Sequence, residues 1–153
     1  MPTTSSADIP QDEMSMFYAA ENAVRDMIGI HPSAKPAEVV DQVHAFLAEY
    51  EAGQAHNSLG EDGQMAVGVT IANAIVRAYG WDWQAISHGD WQSIGVVDPD
   101  RKWLMLPVQY GIHLFERGLE DDAVLTPKML FNCIGHPYLP DSEPGMFAII
   151  AGG

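Results

Sequence analysis

A chain of 153 residues, 47% of them apolar, is long enough to bury roughly two thirds of its unfolded surface in one domain, and its four Trp, five Tyr and five Phe exclude global disorder. Asp and Glu number 21 against 7 Lys and Arg, a net charge of −14 that disfavours nucleic acid and anionic membranes and favours a basic partner. The single cysteine, Cys133, excludes an internal disulfide and a multi-cysteine zinc site, and with no leader-like start and no apolar run of bilayer length the expectation is a cytoplasmic protein.

Residues 1–8 are polar and small and read as a flexible tail, leaving 9–153 as a single α+β domain. Asp8 and Pro10 open a first helix in which Met14, Phe17, Val24, Met27 and Ile28 recur at helical spacing until Gly29 stops it. After a turn through His31-Pro32-Ser33, Pro36 starts a second helix whose stripe of Val39, Val40, Val43, Phe46, Leu47 and Tyr50 ends before Gly53. Residues 54–57 form a linker. Ser58 and Glu61 then have the spacing of a capping box for a third helix, in which Val67, Ile71 and Ile75 form one stripe and Gly68, Ala72 and Val76 its neighbour. Little of that helix is polar after Met65, so it is the expected buried centre. Gly68 and Ala72 permit close approach of another element, and Gly80 suits a C-terminal cap.

Three strands are expected at about 81–87, 91–97 and 102–107, joined by turns at Ser87-His88-Gly89-Asp90 and Asp98-Pro99-Asp100-Arg101. Loops this short make a three-stranded antiparallel meander. Alternation separates an aliphatic set (Ile86, Ile94, Val96, Leu104, Leu106), the natural floor for the helices, from Trp83, Trp91, Trp103 and Met105, which either pack beneath the first helices or form a binding face; packing is the favoured reading. Pro107 opens a helix carrying Val108, Ile112 and Phe115 and closing near Gly118. Glu120-Asp121-Asp122 is an acidic loop, Thr126-Pro127 caps a short helix with Met129, Leu130, Cys133 and Ile134 ending at Gly135, the stretch from Tyr138 is irregular, and 146–150 suits a late strand or a docked tail.

Chemical signatures are sparse. Six histidines, at 31, 44, 56, 88, 113 and 136, show no zinc-ligand spacing, so no metal and no cofactor is expected. Cys133 and His136 lie three apart, yet a thiol nucleophile also needs an oriented base and an oxyanion hole, and a core role explains Cys133 more simply. Asp98 and Asp100 bracket Pro99 in a turn, where Asp side chains cap turn backbone. Acidity together with Trp-rich strands suits an interaction protein, since carboxylates raise the encounter rate with a basic partner and aromatic anchors bind at close range. The candidate contacts are Asp82, Asp90, Trp91, Asp98 and Asp100 along the sheet, with Glu116, Glu120, Asp121 and Asp122 after it. For any single carboxylate, a solvated surface charge is the simpler explanation.

The block Leu59-Gly60, Val67-Gly68, Tyr79-Gly80-Trp81-Asp82-Trp83, Asp98-Pro99-Asp100-Arg101, Pro107 and Phe115-Glu116-Arg117-Gly118 resembles a family of small bacterial domains similar to toxin-immunity proteins. The resemblance spans residues 59–118 and carries no catalytic residue. It implies a cytoplasmic immunity protein, a stoichiometric inhibitor that binds a basic effector toxin and occludes its active site. The competing expectations are a small enzyme with a composite site at His88, Asp90, Cys133 and His136, and a ligand-binding regulatory module using the Trp face as its pocket.

Overall fold

The computed structural model describes residues 3–53, 59–136 and 139–153, and the chain folds as an α+β domain of five helices and one mixed five-stranded sheet. The sheet order is β1 (Thr4–Asp8), β2 (Asp82–His88), β3 (Trp91–Val97), β4 (Trp103–Met105), β5 (Ala148–Ala151). Strands β2, β3 and β4 form the expected antiparallel meander, with Asp82 opposite Val97 and Val97 opposite Leu104. Two further strands flank the meander. Residues 4–8, expected as tail, are strand β1, antiparallel to β2 from Thr4↔His88 to Asp8↔Gln84. Their polar composition hid them, because a strand added to a free sheet edge is held by ladder hydrogen bonds more than by apolar burial. The late strand β5 pairs parallel with β4, with a register shift between Leu104 and Met105.

The helices form where periodicity and caps place them. Helix α1 (Gln11–Ile28) ends on Gly29 at φ 85°, whose amide returns to the Arg25 carbonyl at 2.8 Å. Helix α2 (Pro36–Glu51) has Pro at its first position, and α3 (Glu61–Tyr79) closes on left-handed Gly80. Gly60 stands at the α3 N-cap without a side-chain capping bond; Ser58, the expected cap, lies with the 54–57 linker outside the described residues, as does Tyr138. Pro107 opens α4 (Pro107–Arg117), and the Thr126 hydroxyl accepts from the Met129 amide at the start of α5 (Pro127–Gly135). Every residue of α3 from Val67 to Ile75 is buried, so α3 is the central helix.

Close approach at Gly68 is realised, with a partner that spacing alone did not reveal. A Cβ added at Gly68 would overlap the Pro107 carbonyl oxygen, and one added at Gly111 would overlap the Gln64 carbonyl oxygen. Helices α3 and α4 thus meet backbone to backbone through two glycines.

Register overturns the expected separation of aliphatic from aromatic side chains. Trp83 faces Val96 across β2–β3, and Val96 faces Met105 across β3–β4, so the helix-covered face mixes Trp83, Ile94, Val96, Trp103 and Met105. Ile86, Val97, Leu104, Leu106 and Phe147 form a second cluster on the opposite face, and none of them belongs to a helix. Cross-strand partners share a face whatever their chemistry, and the two-residue turn at Gly89-Asp90 sets this register.

A buried ion network ties α1 to α3 and to the sheet. Glu21 is 2% exposed; its carboxylate accepts from Arg77 Nη1 at 2.6 Å, Arg77 Nη2 and Arg25 Nε at 2.8 Å, and Asn73 Nδ2 at 2.9 Å. Asn73 Oδ1 accepts in turn from the Trp83 indole at 2.8 Å, and Phe17 stacks on Trp83 at 4.4 Å between ring centres. Burial alone would raise the Glu21 pKa, but the hydrogen bonds and charges of Arg77 and Arg25 outweigh it and hold the carboxyl below its ordinary value. A depressed folded-state pKa contributes stability above the unfolded value, and that stability is lost as pH falls through the folded pKa.

Two predictions follow from these contacts. Gly68→Ala should lower unfolding free energy by at least about 3 kcal/mol in urea titration, because backbone cannot yield to the new methyl. Gly63→Ala, on the same helix but against the movable Leu59 side chain at 3.0 Å, should change it by about 1 kcal/mol or less. Glu21→Gln should cost about 3 kcal/mol near neutral pH, the low end for a broken buried pair because the Arg77 side chain stays 43% exposed. Between about pH 6 and pH 3 the wild type should lose more stability than Glu21→Gln, since only the wild type has that carboxyl to protonate; equal losses would deny Glu21 the role.

Candidate functional site

Side chains alternate along a strand, so β2 sends Asp82, Gln84, Ile86 and His88 to the face that carries the helix-free cluster. Their cross-strand partners Asp8, Ser6 and Thr4 of β1 point the same way, as do Trp91 of β3, Leu104 of β4 and Ile149 of β5. This outer face has an apolar end. Ile86, Leu104 and Phe147 floor a groove of about 290 Å³ whose walls are Thr4, His88, Trp91 and Ile149. Trp91 is 42% exposed and Ile149 47% exposed, large apolar surface that water would otherwise be rid of. The Thr4 hydroxyl lies 2.8 Å from His88 Nδ1 and fixes that wall.

Phe147 reaches the floor in a strained conformation. Its φ of 51° lies in the left-handed region, which a bulky side chain rarely adopts. The turn at Asp98–Arg101 holds it there: the Phe147 amide donates to the Arg101 carbonyl at 3.0 Å, and Arg101 is itself left-handed at φ 59°.

The other end of the face is acidic. Gln84, 2% exposed, donates through Nε2 to Asp8 Oδ1 and to Asp82 Oδ2, both at 2.8 Å. One buried amide thus holds two carboxylates close together on the surface, with Arg101 only a loose neighbour of Asp82 at 3.9 Å. The same two carboxylates line a cleft of about 490 Å³ with Met14, Tyr18 and Trp83. A cation entering there would meet two charges and an aromatic ring, Tyr18, that is 43% exposed.

The expected contact residues are thus distributed unevenly. Asp82 and Trp91 lie on this face, with Asp90 beside it in the β2–β3 turn. Asp98 does not: it is 4% exposed and its carboxylate accepts from the Trp103 amide at 2.8 Å and the Asp100 amide at 3.2 Å. It caps the turn, as its position between Val97 and Pro99 allowed, and cannot meet a partner. Asp100 is exposed in that turn. Glu116, Glu120 and Asp122 are exposed and Asp121 half-buried near the end of α2, where the Leu119 amide donates to Glu51; they form a separate patch. Sequence reasoning missed Asp8, Gln84, Phe147 and Ile149. Asp8 is explained by the start of α1 and Phe147 falls in a stretch read only as a late strand or docked tail, while a Gln inside an apolar strand is the signal that could have found the carboxylate pair.

Gly135 packs on Tyr79, its added Cβ 2.6 Å from the Tyr79 hydroxyl, just ahead of β2. Cys133 and His136 therefore lie at the opposite end of that strand, about 20 Å long at ~3.3 Å per residue, from His88 and Asp90. Among the described residues no three His, Cys, Asp or Glu side chains converge as a metal site, and no helix is long and apolar enough to cross a membrane.

No family model and no curated protein matches the chain. A solved structure of a protein from Bacteroides thetaiotaomicron VPI-5482 shares the fold at 10% identity with a TM-score of 0.60. The match covers 86% of this chain and 47% of that one, so the chain spans about half the length of its structural neighbour.

The two tryptophans of the hairpin should separate burial from display. Trp83→Ala should cost about 4 kcal/mol, for a filled core position that also bonds Asn73, whereas Trp91→Ala should cost less than about 1 kcal/mol in the same urea titration. A large loss at Trp91 would make it a structural residue rather than an available anchor.

Proposed function

We propose that the protein is a stoichiometric inhibitor of the immunity type, acting in the cytoplasm, which binds a basic effector domain through the outer face of its sheet and occludes that domain's active site. The observation that carries this reading is a sheet face that joins an apolar groove walled by strand residues to a carboxylate pair, in a chain of net charge −14; α4 touches this face where Gln109 bonds Ser93, and α1 flanks its acidic end. Long-range attraction between the acidic chain and a basic partner raises the encounter rate, and Trp91 and Ile149 then supply apolar contact that decides how long the complex lasts. Where the effector acts on nucleic acid or nucleotides, Asp8 and Asp82 stand in for the phosphates its site is built to hold. The groove, at about 290 Å³, lies just below the range of about 300–1,000 Å³ typical of small-molecule sites. It suits an anchoring side chain better than a cofactor, which places the partner reading ahead of the ligand-binding one.

The test is capture from the protein's own cells at about 50 and 300 mM salt, with wild type and with the surface variants Trp91→Asp and Asp8→Lys/Asp82→Lys. Expected is one basic partner in near-equal amount, toxic when produced alone, retained by wild type and lost by at least about tenfold with either variant while folding is intact. A partner held equally by all three proteins, or one harmless by itself, would overturn the proposal.

A further inference from the structure

Glu21 explains only part of the two arginines around it. Arg77 spends both terminal nitrogens on the Glu21 carboxylate, but Arg25 reaches it through Nε alone. Among the described residues the two terminal nitrogens of Arg25 make no hydrogen bond, and its side chain is only 17% exposed. These nitrogens form a planar fork of donors that a carboxylate fits with two parallel bonds. Beside them lies a cleft of about 610 Å³ between α1, the α1–α2 loop and α3, a volume within the range of small-ligand sites. Glu21, Arg25 and Arg77 line its floor, Ile30, Pro32 and Ala34 give one apolar wall, and Asn22 and Asp26 stand on the rim.

Charge narrows the ligand further. Two arginines against Glu21 leave one positive charge at the floor, the reverse of the chain as a whole. With Asp26 counted the lining is neutral, so a single negative charge is held by the Arg25 fork, whereas a dianion or polyanion also meets Asp26 and the chain's net charge of −14. We propose that this cleft is a binding site for a small monocarboxylate with an apolar body, the carboxylate on the Arg25 fork and the body against Ile30, Pro32 and Ala34. Glu21 is then a positioning residue: by taking Nε it aims the other two nitrogens at the cleft. The site is independent of the outer sheet face and of any protein partner.

The probe is phenylacetate, with the uncharged phenylacetamide as its shape-matched control, titrated into the labelled full chain and followed by backbone amide shifts. Expected are saturable shifts with phenylacetate at Asn22, Arg25, Asp26 and Ala34, and at least about tenfold weaker binding of phenylacetamide, the loss of one charge-assisted pair. Arg25→Gln should weaken phenylacetate by a similar factor while the Trp83 indole signal, bonded to Asn73, reports an intact fold. Asp26→Asn, which touches no part of the ion network, should strengthen binding about two- to fivefold by removing a like charge. Absence of saturation by about 20 mM phenylacetate, equal binding of the amide, or weaker binding in Asp26→Asn would each overturn the proposal.

Discussion

Backbone meets backbone where Gly68 of α3 faces Pro107 and Gly111 of α4, and the architecture depends on that contact. A side chain at either position would push the helices apart and lift α4 away from β4, to which Pro107 joins it directly. With the contact made, α3 is surrounded: α1, α2, α4 and α5 all pack against it or through it, and its segment from Val67 to Ile75 has no exposed side. The helical layer is thereby concentrated on one face of the sheet. The opposite face is left to a small cluster drawn from strands and from Leu106 and Phe147. An antiparallel sheet can leave one face to solvent, but such a face is ordinarily polar. Here it carries Trp91 and Ile149, which is why it reads as a contact surface.

The ionic interactions divide into two kinds. Three surface pairs, Arg101–Asp82, Arg117–Asp121 and Lys128–Asp41, stand at 3.8 to 3.9 Å and contribute little in high dielectric. The Glu21 network is different, being buried, hydrogen-bonded at 2.6 to 2.9 Å and continuous with Asn73 and the Trp83 indole. Its net stabilisation over an apolar replacement is small, because burial of the carboxylate offsets much of the attraction. Its consequence is geometric: α1 has one rotation about its axis that brings Glu21 to Arg77 and Phe17 to Trp83 at once.

The sequence made the helices legible because each has a periodic apolar stripe and a chemical stop: Gly29 and Gly80 at ends, Pro36, Pro107 and Pro127 at starts. The hairpins were legible from their turn residues. Register was not, because a partition by chemical type cannot foresee that Trp83 sits opposite Val96. Strand β1 was invisible for a related reason, its Thr, Ser and Asp residues acquiring a structure only when β2 offers an edge. Of the candidate site, Trp91 and Asp82 could be chosen from sequence, whereas Asp98 carried both a turn-capping and a contact reading until its carboxylate was found bonded to two amides. The Asp8–Gln84–Asp82 bridge spans 76 residues of sequence between Asp8 and Gln84, a separation that no local pattern reports.

Amide hydrogen exchange of the protein alone and in complex with the basic partner proposed for it tests most directly whether the outer face of the sheet is the contact surface. Slowed exchange centred on residues 84–93 and 147–151, with the helical layer unchanged, is the predicted result. Slowing confined to α1, α2 or the 116–122 patch would place the partner elsewhere and contradict the assignment of that face.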